Sequence, residues 1–225
     1  MAYGLQFVNN SGVVTLDSEF ARLVVIESGD YIPNSDGGLT SIVSFAQAIT
    51  TPEPPLIFAR PTTEAGTAAI SSVQIYGTPG AWTGFSVRTR SVDYLQPRGK
   101  WFAAAFEARA VAAYGMRLWD GAGKLLFDTG TPCAVFTAAF QTWTYRFTQQ
   151  LAIGNSNFFS VSNPFPESDY MLINNFGMSL VAGNNPGRLL TSLWDFPNKT
   201  LYAVTTSTAN PNSMNLPALF ARMVV

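Results

Sequence analysis

Short runs of β-branched and aromatic residues, cut by turn clusters about a dozen residues apart, leave this chain few architectures. Residues 20–26, 71–76, 85–90 and 142–148 are such runs. Within 85–90, Phe85 and Val87 alternate with Ser86, Arg88 and Arg90, the period of two that a sheet with one dry face requires. Trp143, Tyr145 and Phe147 alternate in the same way and are expected to share one face. Between the runs lie turn residues at 9–12, 34–38, 77–80, 120–123 and 183–187, rich in Asn, Asp, Gly and Pro. This punctuation favours a sandwich or barrel over βαβ units.

One pattern occurs twice. Residues 2–18 and 113–129 align without gaps, matching Ala2 with Ala113, Tyr3 with Tyr114, Gly4 with Gly115, Gly12 with Gly123 and Asp17 with Asp128. Leu5/Met116, Phe7/Leu118, Asn9/Asp120, Leu16/Phe127 and Ser18/Thr129 are conservative pairs. Each copy reads as a strand, a four-residue turn and a second strand. The turn opens on Asn or Asp, able to bond its own backbone, and closes on a Gly able to take positive φ. A second echo joins 20–25 to the closing residues 220–225, and Phe58-Ala59-Arg60 repeats its first three residues. An apolar final strand left at a free edge would aggregate, so it must complete its own sheet or pair with a neighbouring subunit.

The alanine-rich segment 101–113 dissents from this strand pattern, with strong helix propensity. It lacks a good N-cap and an apolar face of helical period, so the expectation is a buried strand followed by a connection, with a short helix as the alternative. The fold expected is all-β with little helix. It comprises two β-sandwich-like halves, 1–112 and 113–225, each led by a Tyr-Gly hairpin, with a boundary that also allows them to pack as one unit.

The run Tyr114-Gly-Met-Arg-Leu-Trp-Asp-Gly-Ala-Gly-Lys-Leu-Leu-Phe-Asp-Thr129, like Tyr3 to Ser18, resembles a hairpin signature of small structural proteins of tailed bacteriophages. Such proteins are encoded near the tail-tip and fibre genes of siphophages and prophages. The resemblance covers the two hairpins and implies a virion structural protein of the tail tip, baseplate or fibre region. It would be made in the host cytoplasm, dock other tail proteins and take part in host attachment. By analogy with the symmetry of tail ends it also implies a homo-oligomer, first of all a trimer.

Composition agrees with an assembly component. Charged residues make up 12% of the chain against roughly 25% in ordinary soluble domains, which points to surface shared with other protein. The net charge is −1 with no basic run, so no nucleic-acid partner is expected. No stretch approaches the roughly 20 apolar residues of a membrane-spanning helix, and the opening residues resemble no secretory leader.

Catalytic chemistry finds little to work with. The chain has no histidine, which removes histidine-based triads, general bases and metal ligands. Cys133 has no basic neighbour in sequence and reads as a small packed residue. Paired carboxylates could in principle serve a glycan-degrading tail enzyme. The acids to weigh are Glu107, Asp120, Asp128, Glu167, Asp169 and Asp195, of which Asp120 and Asp128 fit hairpin turns better. Asn34, Asp30 and Asp36 read as a solvated loop rather than a calcium site. No catalytic, cofactor-binding or metal-binding residue is expected, and no enzyme. Recognition is the stronger theme, as virion docking or as a receptor-binding module for host surface glycan or pilus. Tyr76, Trp82, Phe158, Phe159 and Phe165 stand beside turn residues and form the candidate recognition surface. The competing reading has these rings plugging the ends of the sandwich.

Overall fold

Strands of period two need partners along their edges, and in this chain most partners lie far away in sequence. The structure, a computed structural model, describes residues 6–8, 10, 12, 14–17, 22–62, 66–89, 97–151, 154–177, 179–180 and 188–224. The strands of the first half are β1 (Gln6–Val8), β2 (Val14–Asp17), β3 (Val24–Tyr31), β4 (Thr40–Ile49), β5 (Leu56–Pro61), β6 (Thr67–Ile70), β7 (Ser72–Thr78), β8 (Ala81–Arg88) and β9 (Gly99–Ala105). Those of the second are β10 (Arg117–Trp119), β11 (Leu125–Asp128), β12 (Cys133–Phe140), β13 (Thr144–Leu151), β14 (Gly154–Ser162), β15 (Tyr170–Leu172), β16 (Ser179–Leu180), β17 (Arg188–Asp195), β18 (Thr200–Ser207) and β19 (Ala218–Val224). Two short 3-10 turns, Asp36–Gly38 and Asn174–Gly177, are the helical elements among the described residues. The protein is all-β.

Six strands close a barrel in the order β12-β19-β15-β5-β9-β3. Three come from the first half and three from the second, so the expected boundary at 112/113 does not divide the molecule and the halves pack as one unit. The β3–β12 join is the narrowest, a register of Cys133 on Val24 supported by Val25 N–H to Pro132 O and Ala134 N–H to Leu23 O. Two open sheets flank the barrel. One has the order β13-β14-β18-β17-β16, with β6 also paired to β17, and the other the order β4-β8-β7.

Alternation along the barrel strands sends neighbouring side chains into two separate cores. Phe58, Phe102, Tyr170 and Ala221 fill the barrel with Leu23, Val25 and Ala104. Phe58 stacks on Phe102 at 4.7 Å, and Phe102 meets Tyr170 edge-on at 5.1 Å. Their neighbours Ala59, Trp101, Ala103 and Phe220 point outward into a larger core shared with the open sheets. There Trp101, Phe45 and Phe85 form an aromatic triangle with centroids 5.1 to 6.1 Å apart.

This arrangement resolves the alanine-rich segment. Residues 99–105 form β9, paired with β3 on one edge and β5 on the other. Residues 106–116 follow without regular structure, so strand and connection were the right expectation. Tertiary pairing overrides helix propensity because Ala103 and Ala104 are small enough for one to face each core. The closing strand β19 lies between β12 and β15, completing the chain's own barrel. The Phe-Ala-Arg echo carries opposite facings. Phe58 looks into the barrel and Phe220 out of it.

The expected shared face of Trp143, Tyr145 and Phe147 is corrected by a bulge. Tyr145 pairs with Phe159, and Phe147 pairs with the next residue back, Phe158. The extra residue, Arg146, turns Phe147 to the other side of the sheet. Tyr145 accordingly meets Phe159 at 5.8 Å, while Phe147 stacks on Phe158 at 4.5 Å.

Candidate functional site

The repeat survives in three dimensions as one register written twice. Gln6–Asp17, Phe7–Leu16 and Val8–Val14 pair in the first hairpin. Arg117–Asp128, Leu118–Phe127 and Trp119–Leu125 pair in the second. The register slips at the equivalent step in both copies, and the matched tip glycines Gly12 and Gly123 have φ of 76° and 81°. Each hairpin is a two-stranded sheet outside the barrel and the open sheets. Two strands alone are marginal in water, so the second hairpin needs anchors, and it has them.

Asp128 is the main anchor. Its shielded carboxylate accepts hydrogen bonds from Arg117 Nε at 2.6 Å, Gly130 N–H at 2.8 Å and Ala112 N–H at 3.1 Å. Arg117 Nη2 also donates to Ala112 O at 2.6 Å. The Arg117 hydrogen bond, with the two backbone donors, holds the Asp128 carboxyl below the usual carboxylate range against the opposing effect of burial. Beside it Leu126 is buried, and the Arg22 guanidinium lies over the Phe127 ring, 5.3 Å from its centroid. At the tip, Asp120 Oδ1 accepts from the N–H groups of Ala122 and Lys124, the turn role expected of it.

What the hairpin does not bury is equally specific. Tyr114 is 95% exposed, Trp119 53% and Met116 36%. Phe106 and Val111, in the connection leading to the hairpin, are also exposed. A recess of about 330 Å³ is lined by Tyr114, Gly115, Arg117 and Trp119. A larger cleft of about 660 Å³ runs between the 50–54 loop, the end of β9 and Lys124-Leu125 of the hairpin, with Phe106 and Glu107 on its wall. The result is an aromatic surface on a rigidly anchored hairpin, of the kind that suits protein docking or stacking on a sugar face.

The residues expected to form the recognition surface do something else. Phe158, Phe159 and Phe165 are all buried. Phe159 lies in the large core and Phe158 packs between Phe147 and Tyr202. Phe165 meets Phe196 edge-on at 5.2 Å, with its backbone turned to a φ of 49° and its N–H held by Asn163 Oδ1. Trp82 is half-buried and donates from Nε1 to Thr51 O at 2.9 Å, and half-buried Tyr76 donates its hydroxyl to Ser86 Oγ at 2.8 Å. Phe158, Phe159 and Phe165 act as packing, the competing reading weighed from sequence, while Tyr76 and Trp82 keep part of their surface open. Turn residues nearby mislead because a strand end that plugs a core has the same local composition as an exposed loop. The exposed set 106–119 carried one sequence signal, the tyrosine repeated at 3 and 114.

Five of the six acids weighed for catalysis have structural partners, and the sixth, Glu167, lies exposed in its loop. Glu107 pairs with Arg109 at 3.4 Å, and Asp195 bonds both the N–H and the amide of Asn198. Asp169 accepts from Thr137 and Ser168 and lies 3.9 Å from Arg222. In the 34–36 loop, the Asn34 amide bonds the backbone of Ile42 and Asp36 pairs with Arg88. Among the described residues no group of three or more Cys, Asp or Glu is placed to hold a metal, and no helix is long and apolar enough to cross a membrane. Cys133 is half-buried on β12, its thiol 3.6 Å from Thr131 O. Comparison with known proteins finds no matching family model, no similar curated protein and no similar solved structure.

Proposed function

We propose that the chain is a structural protein of a bacteriophage tail, in the tip, baseplate or fibre region, that docks other tail proteins through its Tyr-Gly hairpins. The observation that carries this reading is the second hairpin, tied down by Asp128 and Leu126 while Tyr114 and Trp119 remain open to solvent. Anchoring the backbone lowers the cost of ordering this segment on binding, leaving only the rings' own rotamers to be fixed. Aromatic anchors of this kind dominate protein interfaces. The charge-poor composition and the hairpin resemblance support the same reading.

Two measurements test it. Mass spectrometry of purified particles from the phage or prophage encoding the chain is expected to detect it as a structural component, and particles lacking it would overturn the location. Tyr114→Ala with Trp119→Ala changes surface only, so stability is expected to stay within about 0.5 kcal/mol. Capture of tail proteins should weaken about tenfold or more, equivalent to about 1.4 kcal/mol. Undiminished capture would remove the hairpin from the docking role. With Phe158, Phe159 and Phe165 buried, a receptor-binding role would fall to Tyr114 and Trp119 as well. It gains only if adsorption to host cells falls in this variant while particles still assemble.

A further inference from the structure

Strand alternation decides which side chains gather at the mouth of a barrel. Phe102 and Tyr170 fill the barrel together with Ala221. Lys100 stands two residues before Phe102, and Met223 two residues after Ala221, so both turn to the same side as the barrel core. On β3, Ser28 pairs with Phe102 and Asp30 with Lys100, which places them on that side as well. These side chains surround a recess of about 260 Å³, with Gly29 and Trp101 completing its wall.

The recess collects polar groups that have no partner. Tyr170 is only 8% exposed, it lines the recess, and among the described residues its hydroxyl makes no hydrogen bond. Arg60, whose charge also reaches Tyr170, commits Nη1 to Pro166 O and Nη2 to Phe165 O. Asp30 and Lys100 stand opposite each other on neighbouring strands, yet no ion pair joins them. Among the described residues neither charge, nor the Ser28 hydroxyl, has another bonded partner. Elsewhere opposite charges this close do pair, as Asp36 with Arg88, Glu107 with Arg109 and Asp128 with Arg117.

We propose that this barrel mouth binds a free α-amino acid, its ammonium on Asp30 and its carboxylate on Lys100 and the Tyr170 hydroxyl. Charge selects this class of ligand. A simple amine or a simple acid leaves one wall charge uncompensated as the recess loses water, and a neutral sugar leaves both. Directly opposed residues hold their Cβ atoms about 5 Å apart, so the ligand's two charges must also lie close together, as they do on a single α-carbon. An ammonium donates to the Asp30 carboxylate, which a quaternary amine cannot do. Ser28 adds a further hydroxyl, and Met223 gives the ligand's side chain an apolar wall. The site shares no residue with the second hairpin and stands apart from the docking reading.

Nuclear magnetic resonance titration of the whole chain is the test. L-Alanine or L-leucine is expected to shift the amide signals of Ser28, Asp30 and Lys100 saturably. Ethylamine and propionate, which carry one charge each, should bind at least about tenfold more weakly, the loss of one charged hydrogen bond. That comparison needs only the wild type, so it decides independently of how any variant folds. Lys100→Gln should weaken amino-acid binding about tenfold and Tyr170→Phe about threefold, both with an unchanged circular dichroism spectrum. No saturable shift with either amino acid, equal binding of ethylamine or propionate, tighter binding of glucose, or undiminished binding by folded Lys100→Gln would overturn the proposal.

Discussion

Asp128 ties three donors to one carboxylate, and this sets how the second hairpin responds to acid. Its folded pKa lies below the unfolded value of about 3.9, chiefly through the hydrogen bond from Arg117. The contribution is therefore complete above about pH 4 and is lost as pH falls through the folded value. Asp128→Asn should flatten the acid limb of the stability profile. Urea midpoints between pH 6 and 2 for wild type and variant check this, and parallel profiles would contradict it. Phe159 has no exposed surface, so Phe159→Ala is expected to cost about 3–5 kcal/mol by chemical denaturation. A cost below about 1 kcal/mol would return it to the recognition surface. Tyr31 runs the other way. Its hydroxyl is buried with no hydrogen-bond partner among the described residues, burial pushes its pKa far up, and Tyr31→Phe should stabilise the protein by about 1 kcal/mol in the same assay.

Among the elements, the hairpin grammar constrains most. Gly115 has a φ of 136°, and a Cβ there would collide with Thr129 Oγ1. Gly115→Ala should cost about 1–3 kcal/mol and loosen the hairpin, read as faster exchange of the amides at 117–119 and 125–128. Unchanged exchange there would show that Thr129 yields freely. The hairpins were legible in sequence because their turn requirements are local, Asn or Asp to open and Gly to close, whereas the anchoring of Asp128 by Arg117 and Ala112 was not. The β9 strand was legible too, since a helix there lacked both cap and face. The bulge at Arg146 was not, because a bulge is a mismatch with the partner strand and leaves no mark on the strand that carries it. Phe158 and Phe165 were misplaced for a related reason. What buries them, Phe147 and Phe196, approaches through sheet packing that local composition does not record.

The whole molecule is organised by pairings that span it. β6 joins β17, β5 joins β15, and β3 meets β12, so the barrel and the larger open sheet each draw on both halves. Chains 1–112 and 113–225 expressed separately are each expected to lack the dispersed amide spectrum of the full protein. A folded spectrum from either half would restore the two-domain organisation. Long-range order of this sort was the least legible part of the sequence, since the barrel's two-faced strands look locally like those of any sandwich. The exception was the apolar closing strand, whose need for cover pointed to a sheet waiting for it.

That shared barrel also sets a timetable. Its strands emerge from synthesis at 24–31, 56–61, 99–105, 133–140, 170–172 and 218–224, so for most of translation only part of the ring exists. Until residue 224 is out, β12 and β15 have no strand between them, and their edges lie open to any passing chain. Non-local closure is slow, and an unfinished sheet is where aggregation starts. A cell producing this protein therefore has to shelter a half-built barrel, and its yield will depend on how long that wait lasts.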